Sequence, residues 1–151
     1  LGLNIRKATA DDADAILTLV ALMVTESPTY RRHAFAFEKA TALIKYLTEQ
    51  QCLLVADLMG EIVGFCSGMM GEQLLSYDRY ATDTGIYVMP EHRGGTAFVR
   101  LVRSFENWAI EQGATEIHLG VSTGIDTERT VRMYERMNYK INSHGLIKLE
   151  M

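Results

Sequence analysis

The chain has 151 residues, a formal net charge of −4 and 48% hydrophobic residues, proportions that suit one domain built around one core. Charged residues make up only 23%, which excludes the disordered class, and no apolar run reaches the roughly 20 residues of a membrane-spanning helix. The acidic balance argues against generic nucleic-acid binding. With no basic-then-apolar leader at the start, a single cytoplasmic domain over residues 1–151 is expected, with neither nucleic acid nor membrane as partner.

Leu3 to Lys7 reads as a short strand. Thr9 then offers an N-cap with Asp11 and Asp12 in the first turn, where the helix dipole favours carboxylates. Ile16, Leu19, Val20 and Met23 follow at helical spacing, so a first helix runs to about Glu26 and stops at Ser27-Pro28. Phe37, Ala40, Leu43, Ile44 and Leu47 mark the apolar face of a second helix. Two strand-like runs, Cys52–Asp57 and Ile62–Met70, flank Met59-Gly60 and read as a hairpin. A further extended run, Tyr80 to Met89, ends at Pro90. The most regular helix follows, with Phe98, Leu101, Val102, Phe105, Trp108 and Ala109 on one stripe and Gly113 suited to its cap. Glu116–Val121 is a strand, Thr127–Met137 a last helix with Asn138 in the left-handed position after it, and Tyr139–Leu149 final strand material. The order β-α-α-β-β-β-α-β-α-β describes an α/β mixture around one sheet.

Cys52 and Cys66 sit in apolar runs that a hairpin would bring onto neighbouring strands, and they read as buried, reduced thiols. His33, His92, His118 and His144 are too scattered for a zinc pattern, so no metal is expected.

The chemistry concentrates where the long strand meets the long helix, in Ile86-Tyr87-Val88-Met89-Pro90-Glu91-His92-Arg93-Gly94-Gly95-Thr96-Ala97-Phe98. Proline ends the strand and two glycines permit a tight turn into a helix start. The first amides of a helix lack intrahelical partners and lie at the positive end of its dipole. Such a turn holds a pyrophosphate without net positive charge, and Arg93 adds one localised cation. A Gly-Gly connection used only for close packing would look the same, and the loop is neither a Walker sequence nor a GxGxxG fingerprint.

Val88-Met89-Pro90-Glu91-His92-Arg93-Gly94-Gly95 resembles the strand-to-helix signature V-x-P-x-x-R-G-x of the GNAT superfamily of N-acetyltransferases. Thr127, Thr130, Tyr134 and Tyr139 fall at the spacing of a second motif of that family, N-x-x-A-x-x-x-Y-x-x-x-G-[FY]. The departures are Thr96 and Phe98 in the phosphate loop, Thr127 and Thr130 for the usual Asn and Ala, and Asn138 where glycine is common. The resemblance implies an α+β fold with a single mixed, mostly antiparallel central sheet flanked by helices. It also implies acetyl-CoA as co-substrate and a homodimer.

By the same resemblance, main-chain atoms of Ile86 and Val88 would hold the pantetheine arm beside a splayed neighbouring strand. Arg93, Gly94, Gly95, Thr96 and Ala97 would hold the pyrophosphate, with Thr127 also at the cofactor. A primary amine of a small molecule, peptide or protein terminus would attack the thioester directly, without a cysteine nucleophile. An alkylammonium, with pKa near 10.4, must first lose a proton, and a departing thiolate, with thiol pKa near 8.5, benefits from a donor. Tyr134 matches the family position of that donor. For the base, Thr84 stands where some members carry glutamate. Asp83 would face away under strict alternation unless a bulge turns it. Glu72 and a water relay through Thr84 and backbone carbonyls are the other candidates. Acceptor contacts would come from Ser27, Tyr30, Arg31, Arg32 and His33 and from the Met70–Arg79 loop. The second reading is an acyl-CoA-binding or interaction module whose catalytic positions have drifted.

Overall fold

A two-residue turn organises the sheet. Met59 and Gly60 both take positive φ, 53° and 96°, the combination whose twist matches a hairpin. The Gly60 amide donates to Asp57 Oδ1 at 2.7 Å. In the computed structural model, which describes residues 2–151, this turn joins β2 (Cys52–Leu58) to β3 (Glu61–Glu72). With β1 (Leu3–Lys7), β4 (Arg79–Val88) and β5 (Glu116–His118) they form one sheet in the order β1-β2-β3-β4-β5. The first four strands pair antiparallel, and β5 runs parallel to β4. The sheet is therefore mixed and mostly antiparallel.

Helices cover both faces. On one side α3 (Ala97–Glu111) buries Leu101, Phe105, Trp108 and Ala109 against Leu54, Ala56, Val63, Cys66, Ala81 and Val88. On the other, Ile16, Leu19 and Met23 of α1 (Ala13–Glu26) and Ile44 and Leu47 of α2 (Phe37–Gln50) meet Leu53, Val55, Phe65 and Tyr87. The run from Cys52 to Ala56 is buried throughout because β2 has a helix layer on each face. Each large apolar side chain so buried contributes about 1.5–3 kcal/mol. At the start of α1 a short 3-10 turn, Ala10–Asp12, precedes the α-helix proper. Asp12 accepts the Thr9 amide at 2.8 Å and takes two Arg6 bonds at 2.8 and 2.9 Å. Those Arg6 bonds are the main reason its carboxyl is held down at about 2.

One irregularity positions the site. Ser67 pairs with Gly85 but Gly68 pairs with Asp83, leaving Thr84 as an extra residue in β4. This bulge puts Asp83 on the same face as Ile86 and Val88, which strict alternation would deny it. Gly68 opposite the bulge has no room for a side chain. An added Cβ would sit 2.2 Å from Phe105 Cε2 and 2.7 Å from the Thr82 carbonyl oxygen. Gly68→Ala is expected to lower unfolding stability by about 3 kcal/mol, the upper end of ordinary overpacking, as measured by urea denaturation.

The last helix, α4, spans Thr127–Arg136. Asn138 follows at φ 70°, and the Tyr139 amide donates to Tyr134 O at 3.0 Å, closing the helix end. Beyond it the expected strand over Tyr139–Leu149 does not form: those residues have no regular structure, and Ile141, Leu146, Ile147 and Leu149 are exposed. Two features explain this. β5 presents only Glu116–His118 as a template, and Leu146, Ile147 and Leu149 do not alternate cleanly with polar residues. Cys52 and Cys66 lie on adjacent strands as expected, both buried and both free. No helix among the described residues is long and apolar enough to cross a membrane.

Candidate active site

β4 and β5 part company early. Their pairing covers only Tyr80, Ala81 and Thr82 against Glu116, Ile117 and His118, so from Asp83 onward β4 has an open edge. The Met89 amide donates to Val63 O at 2.9 Å, and Phe65 pairs with Tyr87 two residues away. Alternation therefore turns the main-chain groups of Ile86 and Val88 away from β3 and toward the open edge. There the Val88 carbonyl already accepts Arg93 Nε at 2.8 Å, which leaves both main-chain groups of Ile86 and the Val88 N–H facing the gap. The gap is a cleft of about 500 Å³ between β4 and the 120–125 segment, floored in part by Phe98 and closed on one side by α4.

The end of the cleft is a loop and a helix start. Gly94 adopts φ 88°, a conformation that costs any L side chain strain. Among the described residues the amides of Gly94 to Val99 have no main-chain acceptor, and Arg100 is the first to find one, at Thr96 O. A row of such amides at the positive end of a fifteen-residue helix is chemically an anion site.

Arg93 does not reach into this loop as its place in the sequence suggests. Its guanidinium forks onto Glu26, with Nη1 to Oε1 at 2.5 Å and Nη2 to Oε2 at 2.8 Å. It also stacks over the Tyr87 ring, 5.2 Å from the centroid, and Tyr87 donates its hydroxyl to Glu26 Oε2 at 2.8 Å. The paired guanidinium, foremost among the causes, holds the Glu26 carboxyl below its usual range, while burial and Glu26 push the Tyr87 phenol up to about 12. The cluster bolts the end of β4 to the end of α1 and so fixes where the glycine loop begins. In this arrangement the Arg93 side chain is held by Glu26 and Val88 O at the edge of the cleft.

Two titratable groups line the middle of the cleft. Asp83 accepts the Gly120 amide at 2.8 Å just where the strands diverge. Burial pushes its carboxyl up to about 6, against the opposing pull of that hydrogen bond. Tyr134, on α4, is 6% exposed and packs against Phe98 and Tyr139 at ring-centroid distances of 5.7 and 5.8 Å. Its hydroxyl has no partner among the described residues. Burial first, and then the neighbouring Asp83, Cys66 and Tyr139, raise its phenol well above the ordinary range. Tyr139 instead donates to Glu106 Oε2 at 2.7 Å.

The structure brings together Tyr134, Asp83, Ile86, Val88, Arg93, Gly94 and Gly95 around one cleft. It does not bring Glu72, which lies exposed at the far end of β3 beside Arg79. Thr96 and Thr127 begin their helices with exposed side chains outside the cleft lining, and the Ala97 side chain is packed into the core. Of the expected acceptor residues only Tyr30 lines the cleft, bonded through its hydroxyl to Ser122 Oγ at 3.1 Å. Ser27 is buried behind it, donating to the Thr123 carbonyl and accepting the Tyr30 amide at 3.1 Å. Arg31, Arg32 and His33 stay outside the lining, as does the Met70–Arg79 loop, whose Leu74, Leu75 and Tyr77 are over 90% exposed. Residues that the sequence reading missed are Glu26, which no local pattern pairs with Arg93, and Arg129, Arg132 and Arg136 of α4. The arginine spacing, three and then four, was a readable signal of one helix face.

The model of the acetyltransferase (GNAT) family matches residues 19–139, from α1 through Tyr139. The chain belongs to the GNAT family. No curated protein matches it in sequence, but solved GNAT structures superpose over nearly its whole length. An aminoglycoside N-acetyltransferase, AAC(6')-Iy, in complex with CoA is 12% identical at a TM-score of 0.79, covering 98% of this chain and 94% of that one. A ribosomal-protein-alanine N-acetyltransferase from Brucella melitensis biovar Abortus 2308 is 19% identical at 0.74, covering 98% and 99%. A protein from Bacillus halodurans C-125 described as a transcriptional regulator is 23% identical at 0.78, covering 99% of both chains. Identities this low establish the shared fold of this GNAT chain and leave its acceptor open.

Proposed function

We propose that this GNAT chain transfers an acetyl group from acetyl-CoA to a primary amine of a small molecule, peptide or protein terminus, by direct attack in a ternary complex. The observation that carries the reading is one cleft that combines the open edge of β4, the unpartnered amides of the Gly94-Gly95 turn, the Asp83 carboxyl and the Tyr134 hydroxyl. Acetyl-CoA supplies an activated thioester carbonyl whose C–S bond breaks as the C–N bond forms. The pantetheine arm fits the free main-chain groups of Ile86 and Val88, whose spacing along the edge is that of a neighbouring strand. The pyrophosphate fits the Gly94–Val99 amides.

Two proton transfers complete the chemistry. Asp83, ionised above about pH 6, takes a proton from the incoming ammonium, directly or through one water. Tyr134, protonated at every working pH, gives its proton to the sulfur as charge develops there. The two roles suit environments that keep the carboxylate a usable base and the phenol an intact acid. Aminoglycoside and ribosomal-protein acetylation by the structural neighbours suggests testing both amine classes.

The test is a panel of amines, aminoglycosides and N-terminal peptides included, scored by release of the CoA thiol, with acetyl-CoA binding measured separately by calorimetry. Acceptor-dependent thiol release is expected, at micromolar acetyl-CoA affinity. Binding with no turnover on any acceptor would instead support the drifted module. Sedimentation of the same sample tests the homodimer that the family resemblance implies.

A further inference from the structure

α4 carries the proposed proton donor, yet little ties this helix to the body of the protein. Tyr134 is the one fully buried residue of its ten. Among the described residues, the side-chain hydrogen bonds and ion pairs made by residues 126–138 stay inside that stretch, as Thr130 to Asp126 O and Arg129 to Asp126. Tyr139 is the exception. Its hydroxyl crosses to Glu106 Oε2 of α3 at 2.7 Å, the length of a charge-assisted O–H···O⁻ bond. Residues 140–151 have no regular structure, so no strand holds the end of α4 from that side, and the Tyr139–Glu106 bond is its last fixed point.

That point lies against the donor. The Tyr134 hydroxyl has no partner among the described residues, so the direction of its ring is set by two aromatic walls. One is Phe98, in the first turn of α3, with ring centroids 5.7 Å apart and itself packed against the core. The other is Tyr139, at 5.8 Å. Tyr139 is fixed at both ends, by its amide on Tyr134 O at 3.0 Å and by its hydroxyl on Glu106. Both walls thus trace back to α3. Glu106 itself stands outside the cleft lining.

We propose that Glu106 is a positioning residue that, through Tyr139, aims the Tyr134 hydroxyl at the departing sulfur. This rests on the donor role given to Tyr134 above. Without the bond the Tyr139 ring is free to turn toward solvent, and the Tyr134 ring loses one wall. A misplacement of about 1 Å costs on the order of 10²-fold in rate.

The experiment measures kcat, on an acceptor from the amine panel, and calorimetric acetyl-CoA binding for Tyr139→Phe, Glu106→Ala, Glu106→Gln and the double variant Tyr134→Phe/Glu106→Ala. Tyr139→Phe and Glu106→Ala should each lower kcat about 10-fold or more. Acetyl-CoA affinity and stoichiometry should stay nearly native, which also shows that the variants fold. Gln accepts the phenol hydrogen bond as Glu does, so Glu106→Gln should recover most of the loss. The double variant should be no slower than Tyr134→Phe alone, because Glu106 acts only through that hydroxyl. Native kcat in Tyr139→Phe and Glu106→Ala, with Tyr134→Phe slow, would overturn the proposal and leave Tyr134 as donor. A double variant slower than Tyr134→Phe by the whole Glu106→Ala factor would also overturn it, since Glu106 would then act elsewhere. Native kcat in Tyr134→Phe would remove the donor role and the proposal with it. Absence of turnover on every amine would overturn the transferase reading and the proposal together.

Discussion

Tyr134→Phe is expected to lower kcat by about 10²–10³-fold, within the usual range for loss of a positioned general acid, while acetyl-CoA affinity changes less than twofold. The hydroxyl is the only part of the side chain removed, and the ring contacts with Phe98 and Tyr139 survive in Phe. Because the hydroxyl has no protein partner among the described residues, its loss strands no buried donor or acceptor, so the fold should be unaffected. The burden falls on the leaving group. Without a donor the sulfur must depart as a thiolate, so thioesters with more acidic thiols should lose less rate in the variant than in the native enzyme. Steady-state kinetics with two acetyl donors of different thiol pKa, alongside calorimetry, would check both points. Equal kcat in Phe and Tyr forms would remove Tyr134 from the chemistry.

How much of this was legible before the structure depends on whether the decisive signal was local. The Pro90-to-Phe98 turn was, because a strand end, two glycines and a helix start are consecutive in the chain. The left-handed residues Gly113 and Asn138 were likewise announced by their place after helical stripes. The Arg93–Glu26 pair was not legible, because the two residues lie 67 positions apart. No periodicity links the end of α1 to the end of β4. The C-terminal strand was misread for the opposite reason: a few apolar residues suffice for a local pattern, whereas a strand needs an edge to pair with, and β5 offers three residues. Asp83 lay between these cases. Alternation alone sends it to the wrong face, and only the pairing of Gly68 with Asp83 shows that Thr84 is the extra residue.

The bulge also gives the proposed base, Asp83, a measurable signature. Asp83→Asn should lower kcat/KM by about 10²-fold or more at pH 7.5 and change the shape of its pH profile. In the native enzyme the acid limb should rise with unit slope and level off above about pH 6, where Asp83 is ionised. In the Asn variant only pre-formed neutral amine can react, so the rate should keep climbing toward the amine's own pKa, near 10.4 for an alkylamine. Stability should move the other way. A carboxyl whose folded pKa is raised from 3.8 to about 6 opposes folding most above pH 6 and not at all below pH 4. The neutral Asn, still able to accept the Gly120 amide, is therefore expected to gain about 2 kcal/mol at pH 8 that vanishes by pH 4. An unchanged acid limb with lowered stability at pH 8 would assign Asp83 to structure alone. The paired result, slower and more stable above pH 6, is what a carboxylate held in a poorly solvated cleft for proton transfer requires.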